Sequence, residues 1–281
     1  YLAPVLTAFA LIWSGWVIRQ SLYLVDRAQS VVVGDLVVRT GGVNLFVAGE
    51  GQAQLTVDPF AALLSFVAIA GTLVVMLLSL EHFGEDQLHK GEYYALLMFA
   101  AAAASIVAAA SGLIAVYLSI EFLSLTSYVL AAFAKTDRRA GEAGLKYFLY
   151  GAASSAIMLF GMSVLFGITG GNTSFAAVGA NFGAESLGTV LSGAAATAAA
   201  FVGVLFTLVG LGFKIALVPF HFWAPDVYEG APTPVTAFLS VVSKAAGLAV
   251  LVRFLVAVAM PAEPAALSWY WILVVLTAAS M

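Results

Sequence analysis

Asp58-Pro-Phe-Ala-Ala-Leu-Leu-Ser-Phe-Val-Ala-Ile-Ala-Gly-Thr-Leu-Val-Val-Met-Leu-Leu-Ser-Leu80 runs from Pro59 to Leu80 without a charged residue. Crossing the ~30 Å hydrocarbon core of a bilayer takes about twenty apolar residues at 1.5 Å each. Asp58 and Pro59 read as the N-cap and first position of a helix that meets this length. Seven further apolar segments follow the same pattern, at roughly 2–18, 93–110, 112–134, 146–168, 190–218, 234–258 and 267–281. Only Ser111 and Gly112 separate the third segment from the fourth. Closed barrels also span lipid, but their strands are short and alternate in polarity, whereas these segments are long and uniformly apolar. The fold class expected is all-α: a polytopic helical bundle with about eight spans.

Composition agrees. Of the 281 residues, 63% are hydrophobic and 9% charged, and the mean hydropathy is +1.05. A soluble domain carries about a quarter charged residues, so much of this surface must face lipid. The net charge of −4 is spread through the loops and forms no basic stripe for nucleic acid. There is no cysteine, which excludes disulfides, thiolate-held iron–sulfur clusters and a cysteine nucleophile within the sequence. His82 and His89 share one acidic connection with Glu81, Glu85 and Asp86, read as a solvated loop rather than a metal site. The connection 19–57 reads as a small extramembrane hairpin. The alanine runs 100–104 and 194–200 suit close helix packing in lipid. Both ends lie in apolar runs without signal-peptide character, so the sequence is expected to be a piece of a longer chain. The cluster Lys135, Arg138, Arg139 and Lys146 points to the cytoplasmic side.

Charges inside the apolar segments stand out, because one near mid-bilayer costs about 2.5–3.5 kcal/mol on insertion scales. Glu121 lies ten residues into segment 112–134; the ordinary alternative is a protonated glutamate bonded to Ser124 or to a neighbouring helix. Lys244 lies near the middle of 234–258, too deep to snorkel comfortably. Lys214 follows Gly210 and Gly212 and precedes Pro219, a pattern that predicts a broken helix at mid-membrane, as at transporter ion sites. His221 would share a face with Lys214 on a continuous helix, or sit neutral and hydrogen-bonded in the next connection. Lys146 opens its segment and is placed to snorkel to the interface, and Arg253 reads as a snorkelling anchor. Buried glutamate, lysine and histidine together suit proton transfer, since a lysine can load and release a proton as its acidic partner moves.

The run Phe213-Lys-Ile-Ala-Leu-Val-Pro-Phe-His-Phe-Trp-Ala-Pro-Asp-Val-Tyr-Glu-Gly-Ala-Pro-Thr-Pro-Val-Thr-Ala-Phe-Leu-Ser-Val-Val-Ser-Lys244 resembles the antiporter-like membrane subunits of proton-pumping NADH–quinone oxidoreductase (bacterial complex I), subunit N in particular. Glu92-Tyr-Tyr-Ala-Leu-Leu, Leu118-Ser-Ile-Glu-Phe-Leu-Ser-Leu and Leu145-Lys-Tyr-Phe-Leu-Tyr-Gly agree. The resemblance implies about fourteen helices in two inverted five-helix repeats. Residues 1–57 would be a span with its extramembrane connection, 58–92 a span with an acidic loop, 93–258 the first repeat and 259–281 the start of the next span. It implies proton translocation through Glu121 as tuner, Lys214 as channel lysine and Lys244 as onward carrier, with Lys146 and His221 also on positions the family uses. It implies no cofactor in this chain; NAD, FMN, iron–sulfur clusters and quinone belong to partner subunits. The expected partners are other membrane subunits, sibling antiporter-like ones among them, in a bacterial inner membrane. Related Na+/H+ antiporter or membrane-bound hydrogenase subunits share the glutamate–lysine–lysine pattern, but Asp226-Val-Tyr-Glu-Gly-Ala-Pro favours subunit N. A membrane scaffold with satisfied packing charges is the third reading.

Overall fold

The computed structural model describes residues 52–82, 90–183, 194–259 and 266–280, with short pieces at 32–33, 36–37 and 43–48 and Pro4, Thr7, Ala8 and Ile12 of the first expected segment. His89, Glu85 and Asp86 lie outside the described residues. Strands β1 (Val32–Val33) and β2 (Leu36–Val37) pair antiparallel, as do β3 (Val43–Ala48) and β4 (Gln52–Val57). The expected hairpin is therefore present. The helices are α1 (Pro59–His82), α2 (Lys90–Ala109), α3 (Leu113–Ala131), α4 (Arg138–Ile168), α5 (Phe175–Gly183), α6 (Ala194–Ile215), the short α7 (Trp223–Gly230), α8 (Thr233–Val258) and α9 (Ala266–Ser280). Among the described residues six of them, α1 to α4, α6 and α8, are long and apolar enough to cross a membrane. Their outward faces carry Leu63, Val74, Leu77, Leu118, Leu125, Val129 and Phe160 exposed, more apolar surface than a water-facing monomer shows.

The turn between α2 and α3 is pinned by the hairpin. Ser111 N donates to Gln54 O at 2.9 Å, Thr56 Oγ1 to Ser111 Oγ at 2.9 Å, and Gln54 Nε2 to Thr173 Oγ1 at 2.8 Å. The strand β4 thus ties the α2–α3 turn to the α4–α5 turn and closes one end of the bundle. Asp58 caps α1, accepting from Ala61 N at 2.7 Å, as its sequence position predicts. Its second role was not legible. Asp58 pairs with Arg253 of α8, which also donates Nε to Ala108 O at 3.0 Å and lies 5.2 Å from the Phe60 ring. Arg253 is no snorkelling anchor: its side chain, 13% exposed, clamps the starts and ends of three helices. Arg253→Ala is expected to cost about 2 kcal/mol, the scale of lost charge-assisted hydrogen bonds. The check is earlier thermal unfolding of the detergent-solubilised protein, with Arg253→Lys recovering only part because lysine lacks the planar fork.

The helix α4 begins eight residues before the expected span. Asp137 caps it by accepting from Arg139 N at 2.9 Å, so Lys146 sits two turns inside a helix rather than at its start. Along its length α4 lies against α6 at backbone distance. A Cβ on Gly161 would stand 2.6 Å from Thr207 N and 2.7 Å from Gly203 O. Small residues at such crossings let helices pack tightly where lipid offers no hydrophobic drive. Ala100, Ala103 and Ala104 of α2 are likewise fully buried.

Candidate functional site

Lys214 is 1% exposed, and the end of α6 is built around it. The helix stops at Ile215 because Ala216 adopts φ 58°, a left-handed conformation unusual for a residue with a Cβ. Ala216 N then donates to Phe213 O at 3.1 Å and Leu217 N to Gly212 O at 2.8 Å, the paired bonds of a Schellman helix stop. Trp223 Nε1 also donates to Phe213 O, at 3.1 Å. The carbonyls at the helix stop are thus bonded by backbone and indole. Lys214 lies in the last turn of α6, where the negative end of the helix dipole favours a cation.

Among the described residues the amine makes one hydrogen bond, Nζ to Ser124 Oγ of α3 at 3.1 Å. Glu121 is one turn away on the same helix and within electrostatic reach of Lys214. Its Oε1 accepts from Ser155 Oγ of α4, so the neighbouring-helix partner weighed for it exists, while Ser124 serves the lysine instead. Glu121, Ser124, Ser155 and Phe213 line a cavity of about 10 Å³, close to the space that admits one water. Tyr128 lies near Ser124, and has room only because residue 151 is glycine: a Cβ there would lie 1.8 Å from its hydroxyl.

An aromatic wall, not anticipated from the sequence, closes the other side. Tyr147 lies with its ring centroid 6.0 Å from Lys214 Nζ. It stacks on Trp223 at 4.4 Å and 15° and meets Tyr128 edge-on at 4.7 Å. Cation–ring attraction of this kind grows when water is excluded.

Lys244 follows a π turn, Leu239–Ser243, within α8; such turns cluster at functional sites. Its Nζ stands 5.4 Å from the Tyr228 ring centroid. One turn on, Gly247 brings α8 against the lysine of α6: a Cβ there would meet Lys214 Cγ at 3.2 Å and Ile215 Cγ2 at 2.8 Å. Lys214, buried, and Lys244, partly exposed, therefore lie along the α6–α8 contact. Ser243 Oγ, Tyr228 Oη and Tyr147 Oη, near one lysine or the other, and His221 Nδ1 in the connection, are buried without a hydrogen bond of good geometry among the described residues, although Tyr147 lies near Ser127 and Ser243.

Lys146 and His221 are placed differently. Lys146 is 39% exposed and held between Glu142 Oε1 at 2.8 Å and Asp226 Oδ2 at 2.7 Å. These groups line an open polar pocket of about 210 Å³ with Arg139 and Glu229. Lys146 is ion-paired because α7 folds back onto its turn of α4. His221 does not share a helix face with Lys214, since the chain leaves α6 at Ala216; it stacks on Phe222 at 4.7 Å. The structure thus brings Glu121, Lys214 and Lys244 around α6, with Lys146 at the end of the bundle and His221 in the connection. Ser124, Ser155, Tyr147 and Tyr228 complete the surroundings; their signal in the sequence was only that they fall near the charged residues.

Comparison with known proteins places this arrangement. The family model described as NADH:quinone oxidoreductase/Mrp antiporter, TM, matches residues 110–281. NADH-quinone oxidoreductase subunit N 1 of Rhizobium meliloti (strain 1021) is 42% identical over 264 residues, which cover 91% of this chain and 52% of that protein. A chain of respiratory complex I from Thermus thermophilus superposes with a TM-score of 0.59 at 29% identity, over 90% of this chain and 52% of that one. A chain of the membrane-bound sulfane sulfur reductase, an archaeal respiratory membrane complex, shares the fold with a TM-score of 0.75 at 22% identity, over 98% of this chain and 50% of that one. The chain spans about half the length of the curated relatives it matches. This multi-pass membrane protein belongs to the transmembrane family of NADH:quinone oxidoreductases and Mrp antiporters, and among its members it is similar to subunit N.

Proposed function

We propose that this chain forms a proton half-channel of an antiporter-like subunit N in a respiratory NADH–quinone oxidoreductase, with electron transfer carried out by other subunits. The observation that carries this reading is Lys214: a fully buried amine at the end of a broken helix, bonded to Ser124 one turn from Glu121. A purely structural lysine would be held by a permanent acidic partner, because an unpaired buried charge is costly. Here the amine has one neutral hydroxyl as its direct partner, an arrangement in which a proton is lost and regained with little rearrangement. Glu121 sets the field at Lys214. Tyr147 Oη, on the ring beside Lys214, and Ser243 Oγ, next to Lys244, are buried without a hydrogen bond of good geometry among the described residues; they are groups of the kind that bind water, and they supply the route onward. Lys244 receives the proton on the α8 side of the contact. Lys146 and His221 serve as peripheral members of the same path, at the surface and in the connection.

In this reading residues 93–258 form one five-helix repeat of the family. NAD, FMN, iron–sulfur clusters and quinone are held by partner subunits in a bacterial inner membrane. The names of the relatives favour this over a Na+/H+ antiporter.

The test is proton uptake by proteoliposomes carrying the assembled complex, normalised to NADH oxidation with an artificial electron acceptor. Glu121→Gln is expected to slow translocation by about ten-fold, a fraction of what a positioned proton-transfer group contributes. Glu121→Asp is expected to recover part of the rate. Translocation unchanged in Glu121→Gln removes the assigned role. Sodium-dependent transport without NADH oxidation would instead assign the chain to an antiporter.

A further inference from the structure

The eight-residue helix α7 touches the surroundings of all three lysines. At its start Trp223 donates to Phe213 O at 3.1 Å and stacks at 4.4 Å on Tyr147, the ring beside Lys214. In its middle Asp226 holds Lys146 at 2.7 Å. Two residues later Tyr228 presents its ring to Lys244 at 5.4 Å and meets Trp223 edge to face at 5.9 Å. At its end Gly230 lies directly on α4, where a Cβ would stand 2.8 Å from Arg139 O and from Ala143 Cβ.

A helix this short moves as a rod of about 12 Å. Its aromatic contacts are broad and non-directional, so they leave the rod's position soft. Two hydrogen bonds pin it at points, Trp223 Nε1 to Phe213 O at 3.1 Å and Thr236 Oγ1 to Tyr228 O at 3.2 Å, and Asp226–Lys146 is its one ion pair among the described residues, the charged tie to α4. With the two side chains 51% and 39% exposed, such a pair adds little to overall stability. Its consequence is local: it fixes where Tyr228 stands relative to Lys244.

We propose that Asp226 is a positioning residue for proton transfer, which, by holding α7 on Lys146 at the end of the bundle, sets the Tyr228 ring against Lys244. Glu142 holds the same amine at 2.8 Å, so Lys146 keeps a carboxylate partner when Asp226 lets go. This rests on the reading that Lys244 carries protons.

The experiment measures proton translocation by the whole complex in proteoliposomes, normalised to NADH oxidation with an artificial acceptor. Asp226→Asn is expected to lose about ten-fold, on the order of what misplacing a catalytic group costs, and Asp226→Glu to recover most of it. Tyr228→Leu is expected to lose as much, and Tyr228→Phe little, since the ring faces the amine. In the Tyr228→Leu background Asp226→Asn should cost nothing more, because both changes remove one contact. Where Asp226→Asn does not assemble, Asp226→Ser takes its place in the same pairing, with the same expectation. Normal translocation by Asp226→Asn, or losses that simply multiply with Tyr228→Leu, overturns the proposal. Lys244→Ala separates the two layers: normal translocation there means the proton-carrier reading has failed. Loss in Lys244→Ala beside normal Asp226→Asn means only the positioning role has failed.

Discussion

Lys214→Ala is expected to reduce proton translocation by the assembled complex about a hundred-fold, within the range that a positioned proton-transfer group supplies. The amine is 1% exposed and has Ser124 as its hydrogen-bond partner, so no neighbouring side chain stands ready to replace it. Lys244 is the nearest candidate along the α6–α8 contact, but it follows its own π turn and faces Tyr228. The fold should survive the change. Truncation leaves the Schellman stop, the Trp223 bond to Phe213 O and the α4–α6 packing in place. NADH oxidation with an artificial acceptor, which reports assembly, should therefore stay near normal while translocation falls. A parallel fall in both would mean that Lys214 is a structural residue.

Gly161→Leu is expected to have the largest structural effect. The α4 and α6 backbones meet there, and a Cβ would lie 2.6 Å from Thr207 N, 2.7 Å from Gly203 O and 2.7 Å from Phe206 Cβ. Two of those three atoms are backbone and cannot rotate away. Overpacking a well-filled core costs about 3 kcal/mol at the upper end of its usual range, which is roughly a hundred-fold in an equilibrium. Here the helices must also separate, and with them the Lys214 end of α6 from Ser124 and Ser155. The measurement is the amount of chain incorporated into the membrane-embedded complex. Gly167→Leu is the control: it lies on the same helix with nothing within 4 Å of its Cβ position, and is expected to incorporate normally.

The spans were legible because lipid demands long apolar runs, and Pro59–His82 meets that demand almost residue for residue. The helix break at Lys214 was legible too, since Gly210, Gly212 and Pro219 weaken a helix from both sides. The start of α4 was not. Arg138, Arg139, Glu142 and Lys146 look like a loop to hydropathy, yet Asp137 caps a helix that carries them. Arg253 failed for another reason: its partner Asp58 is 195 residues away, and no periodicity reports such a pairing. The stacking of Tyr147 on Trp223 and the reach of α7 from Lys146 to Lys244 depend on the chain folding back after Ala216. A helix continued through His221 would have put that histidine beside Lys214 and left Asp226 without its lysine.

The central claim is that Lys214 works by exchanging its proton, not by carrying a charge. Lys214→Arg tests it most directly, because a guanidinium keeps the charge and hydrogen-bond donors but does not deprotonate in proteins. Proton translocation by proteoliposomes containing the Lys214→Arg complex is predicted to fall nearly as far as with Lys214→Ala, with NADH oxidation by an artificial acceptor intact. Translocation at the unmodified rate would contradict the account, and would show that a fixed positive charge at the end of α6 is all that the site requires.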